Sequence, residues 1–426
     1  MSISQLFPEE GPTLNLNFAG SKTLDPRITF SRTSTATYMD DSGLIKVAPA
    51  DSPRFDHRYV NGEIESLGLL VEESRSNLIT YSNGLSSWGS AYSHTLNQDV
   101  VGPDGITNSA WTMDDTYTGG DGAFREKSFS VTPSTNQYCF SVFAKSGTAI
   151  WFDMYAFFIG SSTRAVYLNY VWGTNTLSVG SAENSPPAPT IYGKIEYPNG
   201  WNRFYFVFSD PTGLNNTCLF RLYPSSRNAG YVGSTLFYGA QIEAGAFPTS
   251  YMPTSASQFT RNRDTVSMTG DNFSDWYNQS EGSFYMNIRN IQQQPTGGAY
   301  TRLIDLRGTP TGDNYYLVAI TPNGRAIYNE MLSNGSSQLN FGATYPIPNS
   351  PTGIVKITTG LQQNNFIAYN FASQFLSDTS SVTLPILNTL YIGRDQNGGS
   401  QINGHISQLT YYPTRLTNAQ LQTLTK

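Results

Sequence analysis

The sequence predicts an all-β protein. Two antiparallel β-sandwich (jelly-roll) domains follow a short N-terminal β-rich region, and one short helix closes the chain. Three observations lead there. Apolar runs of strand length recur at short intervals. Turn signals built from Gly, Pro, Asn and Asp separate them. Helical periodicity is missing until the C-terminal end.

Residues 1–78 make the first segment. Leu14-Asn15-Leu16-Asn17-Phe18 alternates apolar and polar residues and reads as one strand. Residues 28–30 and 37–39 have strand character, and 67–71 is a short apolar strand. Asp41-Ser42-Gly43 and Asn61-Gly62 mark turns. So few apolar residues can hardly bury a core alone, so this segment is expected to pack on a neighbouring domain or a partner chain.

The second segment, 79–255, carries strand candidates at 124–131, 137–145, 149–159, 165–172, 201–209, 217–223 and 235–243. Turn-rich stretches such as Pro103-Asp104-Gly105, Gly119-Gly120-Asp121-Gly122 and Pro198-Asn199-Gly200 lie between them. Evenly spaced strands without a helical period indicate an antiparallel sandwich. The third segment, 256–426, repeats the pattern at 283–289, 302–306, 315–320, 324–330, 353–358, 365–369, 389–392 and 402–411. Pro322-Asn323-Gly324 reads as a hairpin turn. Residues 274–277 read as a short helical turn. Thr417 and Gln420 form a Thr-x-x-Gln capping box, and Leu416 and Leu421 can staple across it, which predicts the terminal helix.

Composition narrows the function classes. Charged residues are 13% of the 426, aromatics another 13%, and net charge is −6. The aromatics can build cores, which argues against disorder. No Lys/Arg cluster appears, so nucleic acid is not an expected partner. The N-terminus lacks the basic start and apolar run of a secretory signal, and no stretch approaches the roughly 18 apolar residues of a membrane span. Folding in a cytoplasm, without membrane insertion, is therefore expected. In that reducing compartment Cys139 and Cys218, both in apolar runs, read as free buried thiols, with a disulfide as the alternative. The three histidines, His57, His94 and His405, show no zinc spacing.

Three sets of motifs carry a family resemblance. The first is Arg27-Ile28-Thr29-Phe30-Ser31-Arg32, with Pro53-Arg54-Phe55-Asp56, Gly68-Leu69-Leu70-Val71-Glu72 and Asn77-Leu78. It resembles the N-terminal segment of bacteriophage virion and tail proteins. The second is Gly200-Trp201-Asn202-Arg203, then Gly239 to Gly245, Pro248-Thr249-Ser250-Tyr251 and Thr260-Arg261-Asn262-Arg263-Asp264. It resembles a carbohydrate-binding-module jelly roll. The third is Leu390-Tyr391-Ile392-Gly393-Arg394, Gly404-His405-Ile406 and the stretch from Tyr411 to Leu421. It is similar to concanavalin A-like or laminin-G-like lectin sandwiches. The resemblance implies a virion surface protein, of tail-fibre or receptor-binding type, that binds host cell-surface glycan. A capsid decoration or tail connector that binds only virion neighbours is the alternative. By analogy with fibres and spikes it implies a homotrimer, attached through its first ~20 residues.

Candidate site residues follow from strand alternation. In 149–157, Phe152, Met154 and Ala156 point one way and read as core. Trp151, Asp153 and Tyr155 point the other way. Rings cover the apolar faces of sugars and a carboxylate takes hydroxyls, so this row can hold a glycan, unless a loop or subunit covers it. Trp88, Trp111 and Trp201 read as structural anchors. Tyr315 and Tyr316 cannot both face a core, and Tyr315 is the candidate for a groove in the third segment. Asp114, Asp115 and Asp121, beside Gly119 and Gly120, could supply hard oxygen ligands to calcium, as the resembled jelly rolls often do; they are as easily turn residues. No other cofactor is suggested. No Glu-x-Asp-x-x-Glu row, Gly-x-Ser-x-Gly elbow, Walker loop or His-Glu-x-x-His is present, so an enzyme is not expected. Arg27, Arg32, Arg54, Arg58 and Arg75, with Glu72 and Glu73, are expected to fix domain or subunit packing, with solvated loop charges as the alternative.

Overall fold

Apolar/polar alternation drives the chain into antiparallel sheets, each with one face turned to a core. The computed structural model describes residues 8–228, 230–289, 291–292, 300–310, 312–322, 326–341 and 353–426. Residues 1–7 of the expected attachment arm, and Asn323 and Gly324 of the predicted hairpin turn, lie outside them.

Residues 89–244 form the first sandwich. One sheet runs in the order Tyr192–Glu196, Asn202–Ser209, Gln137–Ser146, Gly233–Ala244, Ala110–Asp115, His94–Val100. It faces the second sandwich and is called the junction sheet. The other runs Thr176–Ser181, Arg164–Val171, Trp151–Gly160, Asn215–Tyr223, Phe124–Ser130, Gly89–Ala91. It is called the cleft sheet. Phe140, Phe206 and Ile242 from one meet Phe152, Met154 and Phe220 from the other, all fully buried. Trp88, Trp111 and Trp201 are buried and donate their indole N–H to the carbonyls of Tyr81, Asn83 and Val101. Both cysteines are free and buried, in different sheets, and burial pushes both thiols up.

The second sandwich draws on both ends of the chain. Its first sheet runs Ser373–Asp378, Phe366–Asn370, Ile354–Gln362, Glu281–Arg289, Gly404–Tyr412, Glu63–Val71, Phe55–Val60, with Leu14–Leu16 also paired to Gly404–Tyr412. Its second runs Thr29–Ser31, Thr265–Thr269, Thr389–Ile392, Thr301–Arg307, Tyr315–Ile320, Ile327–Ser333, Ser336–Phe341. Residues 8–78 are therefore not a region apart: Leu14–Leu16, Thr29–Ser31, Phe55–Val60 and Glu63–Val71 are built into the sandwich of 256–426, while Ala36–Met39 pairs with Ile45–Ala48 and Arg75–Asn77 with Phe259–Arg261. Leu14, Leu16, Leu69 and Val71 share one core with Phe284, Met286, Ile304 and Leu409. Gly68 makes this possible. It sits at φ +103°, and a Cβ there would overlap the Ile406 carbonyl of the neighbouring strand.

Local details differ from the sequence reading. The first strand stops at Leu16, because the Asn17 side chain accepts from Gly20 N at 3.0 Å and caps a short helix, Phe18–Ser21. The predicted helical turn at 274–277 lies earlier, at Asp271–Ser274. The terminal helix, Asn418–Leu424, carries the predicted capping box between Thr417 and Gln420. Among the described residues no helix is long and apolar enough to cross a membrane.

A buried charge node locks the sandwiches together. Arg54 donates to Glu72 at 2.7 Å and to Asp264 at 2.6 Å. Arg32 donates to the other Asp264 oxygen at 2.9 Å, and Arg261 lies 2.9 Å from Glu72. The first sandwich joins through Ser250, whose N–H and hydroxyl both donate to Glu72, at 2.8 and 2.7 Å. Burial alone would raise the Glu72 carboxyl; Arg261, Arg54 and Ser250 overcome it and hold the group well below its ordinary value.

Two outcomes follow from this architecture. Leu69→Ala is expected to unfold the second sandwich more easily by about 2–5 kcal/mol in thermal or denaturant melts, and a chain beginning at residue 79 should leave that sandwich unfolded. Glu72→Gln is expected to cost roughly 3–5 kcal/mol at neutral pH, since it leaves buried guanidinium charge unmatched. A carboxyl depressed on folding stabilises above its unfolded value and loses that contribution as pH falls. The wild type should therefore lose stability below pH 4.5, and the variant should lose less over the same range.

Candidate functional site

The strand Trp151–Gly160 alternates as its sequence requires. Phe152, Met154 and Ala156 enter the core, while Trp151, Asp153 and Tyr155 face outward. The next strand, Arg164–Val171, places Tyr167 opposite Tyr155 and Asn169 opposite Asp153. Beyond it, Ser178 pairs with Asn169. The outward side chains floor a cleft of about 720 Å³.

Its other wall comes from two loops. Asp115 holds both. Its oxygens accept from Tyr117 N at 2.9 Å, Ala123 N at 3.1 Å and the Ser225 hydroxyl at 2.9 Å. The loops then touch so closely that Gly122, at φ +45°, cannot carry a side chain without striking the Ser226 carbonyl. Arg227 follows on the second loop. Its backbone N–H donates to Asp153 at 3.0 Å and its Nε to Asp121 at 2.7 Å, and Nη2 reaches Glu183 at 3.3 Å. Its guanidinium also lies 5.4 Å from the Tyr155 ring centre.

Aromatic rings and amides dominate the surface this creates. Tyr155 and Tyr167 stack at 5.3 Å, and Trp151 leans on Tyr231 at 4.4 Å. Asp153 lies beneath, only 4% exposed, accepting from Asn169 at 2.5 Å. Burial raises its carboxyl to about 6, against the pull of Asn169 and Arg227. Burial and the neighbouring Asp153 also push the Tyr155 hydroxyl up. The row is thus half-sunk in a cleft rather than spread on an open sheet face.

The three aspartates proposed as calcium ligands do not converge. Asp114 and Asp115 point to opposite sides of their strand. Asp115 is taken up by three hydrogen bonds from its two flanking loops, and Asp121 is paired with Arg227. Among the described residues no group of three His, Cys, Asp or Glu side chains could hold a metal. Tyr315 lies on the second sandwich, far in sequence and fold from the cleft. Tyr316 takes the core position, while the Tyr315 hydroxyl donates to Glu330 at 2.8 Å under the Arg307 guanidinium. It does not line the cleft floored by Trp151 and Asp153. Sequence reasoning missed Tyr167, Asn169, Ser178 and Arg227. Tyr167 and Asn169 carried a signal, since they alternate with buried Val166, Leu168 and Tyr170.

No protein-family model matches the chain, and neither does any curated protein. Solved structures resemble it distantly. The Ruminococcus gnavus IT-sialidase CBM40 is 11% identical at a TM-score of 0.31, over 36% of this chain and 88% of that one. The binding domain of botulinum neurotoxin DC, in complex with rat synaptotagmin II, is 16% identical at 0.30, over 38% and 40%. Trypanosoma rangeli sialidase is 8% identical at 0.29, over 74% and 60%. Likeness at this level carries no argument about what the cleft does.

The Asp153 carboxyl supplies a direct check on this geometry. An acid raised on folding favours the protonated native state, so its unfavourable contribution builds as pH rises from about 4 to about 6 and levels off above that. Asp153→Asn should gain stability relative to wild type between pH 4 and 7, by an amount on the order of 3 kcal/mol, read from melts across that range.

Proposed function

We propose that the cleft on the cleft sheet binds carbohydrate, and that the protein is a virion surface adhesin of tail-fibre or receptor-binding type. One observation carries the binding reading: Trp151, Tyr155 and Tyr167 line the same cleft as Asp153, Asn169 and Ser178. Flat rings match the apolar faces of a pyranose, and carboxylate, amide and hydroxyl groups match its rim of hydroxyls. The virion assignment rests on the sequence motifs, and host cell-surface glycan is the ligand that fits both. A homotrimer would multiply weak single sites into firm attachment.

Binding without hydrolysis is the mechanism proposed. Glycosidases need one acid free to donate a proton and a second free to attack or to activate water. Here Asp121 is tied to Arg227, and Asp153 is held by Asn169 and a backbone N–H. The alternative, a decoration or connector that grips only virion neighbours, draws on exposed apolar residues. Val47, Val101 and Ile106 are 60%, 50% and 62% exposed and line two smaller grooves near the sandwich junction.

Trp151 gives the cleanest test, because it is only half-buried and its loss spares the core. Trp151→Ala should weaken binding to host cells, or to the glycans selected on an array, by roughly tenfold or more without lowering the melting temperature. Unchanged binding would remove the cleft from the mechanism. Incubation with host polysaccharide is expected to release no reducing ends.

A further inference from the structure

The charge balance of the cleft bears on which sugars enter it, and this inference rests on the carbohydrate reading above. Among the described lining residues Arg227 is the sole cation, against Asp121 and Asp153. Its guanidinium is already engaged on its Nε edge by Asp121 and on Nη2 by Glu183. Its backbone N–H is taken by Asp153, and its face lies over Tyr155. Recognition of an acidic sugar calls for a guanidinium fork or free N–H groups turned toward the ligand carboxylate. This arginine offers its fork to the protein instead.

The acids, in contrast, outnumber it. Asp121 and Glu183 hold one guanidinium, and Asp153 is almost wholly buried, with the Asn169 amide, the Arg227 backbone N–H and the Ser226 hydroxyl close by. A further carboxylate brought in by a ligand would meet like charge across a partly dehydrated gap, where repulsion is weakly screened. A hydroxyl would find acceptors. An ammonium would find acceptors and the rings of Trp151 and Tyr167, which attract cations.

We propose that the cleft admits uncharged and amine-bearing sugars and rejects acidic ones, with Glu183 acting as a positioning residue that keeps Arg227 turned away from the ligand. Glu183 lies 44% exposed at the rim, so its replacement should leave the fold intact.

A glycan array carrying neutral, amine-bearing and sialylated or uronate-bearing glycans tests this, probed with wild type, Trp151→Ala and Glu183→Gln. Neutral or amine-bearing hits that vanish in Trp151→Ala, with no acidic hits, are the expected result. Glu183→Gln should raise the acidic signal by about tenfold or more, since it frees one edge of Arg227. Acidic hits in the wild type that depend on Trp151 would overturn the charge rule and leave carbohydrate binding standing. Continued rejection of acidic glycans by Glu183→Gln would overturn the role given to Glu183. No Trp151-dependent hit of any kind would overturn the carbohydrate reading and this one with it.

Discussion

The buried meeting of Arg32, Arg54 and Arg261 with Glu72 and Asp264 is the constraint on which the rest of the molecule depends. Stripping water from such ions costs several kcal/mol each, so the arrangement survives only because each guanidinium meets a carboxylate, Glu72 serving Arg54 and Arg261 and Asp264 serving Arg32 and Arg54. The match draws on distant stretches: the first segment supplies Arg32, Arg54 and Glu72, the link between sandwiches supplies Arg261 and Asp264, and Ser250 comes from the end of the first sandwich. Burial works against the Arg54 cation, and Asp264 and Glu72 restore it. Burial and repulsion from Arg54 lower Arg32, but guanidinium groups start so high that it stays charged. A shift of any one stretch would strand an ion, so the segments are held in one register.

That node decides which surfaces are left for ligands. The outer face of the junction sheet is covered: Ser141, Arg203, Gln241 and Glu243 are all buried there, and Arg203 reaches across to the Thr249 carbonyl at 2.6 Å. The equivalent face of the cleft sheet has no sandwich against it. Its aromatic residues are instead partly roofed by the loops that Asp115 anchors, and the roof leaves the 720 Å³ cleft open above Asp153. One sheet of the first sandwich thus serves assembly of the chain and the other is free to serve recognition.

How much of this was legible in the sequence depends on where each residue sits. Central strands announce themselves, because both neighbours and one core face demand apolar side chains. Tyr315–Ile320 and Thr389–Ile392 have the predicted bounds. Edge strands such as His94–Val100, Thr176–Ser181 and Tyr192–Glu196 bury little and read as loops. The pairing of Leu14 with Tyr411 spans nearly the whole chain, and no local pattern encodes it. The cleft divides the same way. Trp151, Asp153 and Tyr155 are two residues apart and share a face by the geometry of any strand. Asp121 and Arg227 meet only because two loops are folded together. Asp114, Asp115 and Asp121 read as ligands for a plain reason: acidic residues near glycines suit a turn and a calcium loop equally, and the two differ only in how the chain folds around them.

The motifs that gave the family resemblance turn out to be architectural. Arg32, Arg54, Glu72, Ser250, Arg261 and Asp264 all belong to the quoted motifs, and all converge on the node. Asn77 adds a second clasp, donating to the carbonyls of Ala240 and Met252 while accepting from Ile242 N. None of these residues lines the cleft. Shared motifs of this kind therefore speak to how a first segment, a jelly roll and a second sandwich are bolted together. They do not line the cleft, where the rings and acids of the proposed carbohydrate site lie. A chain could keep the whole scaffold and change its specificity by altering Trp151, Tyr167, Glu183 or Arg227 alone, since these side chains lie at the cleft or its rim and carry none of the junction's charge.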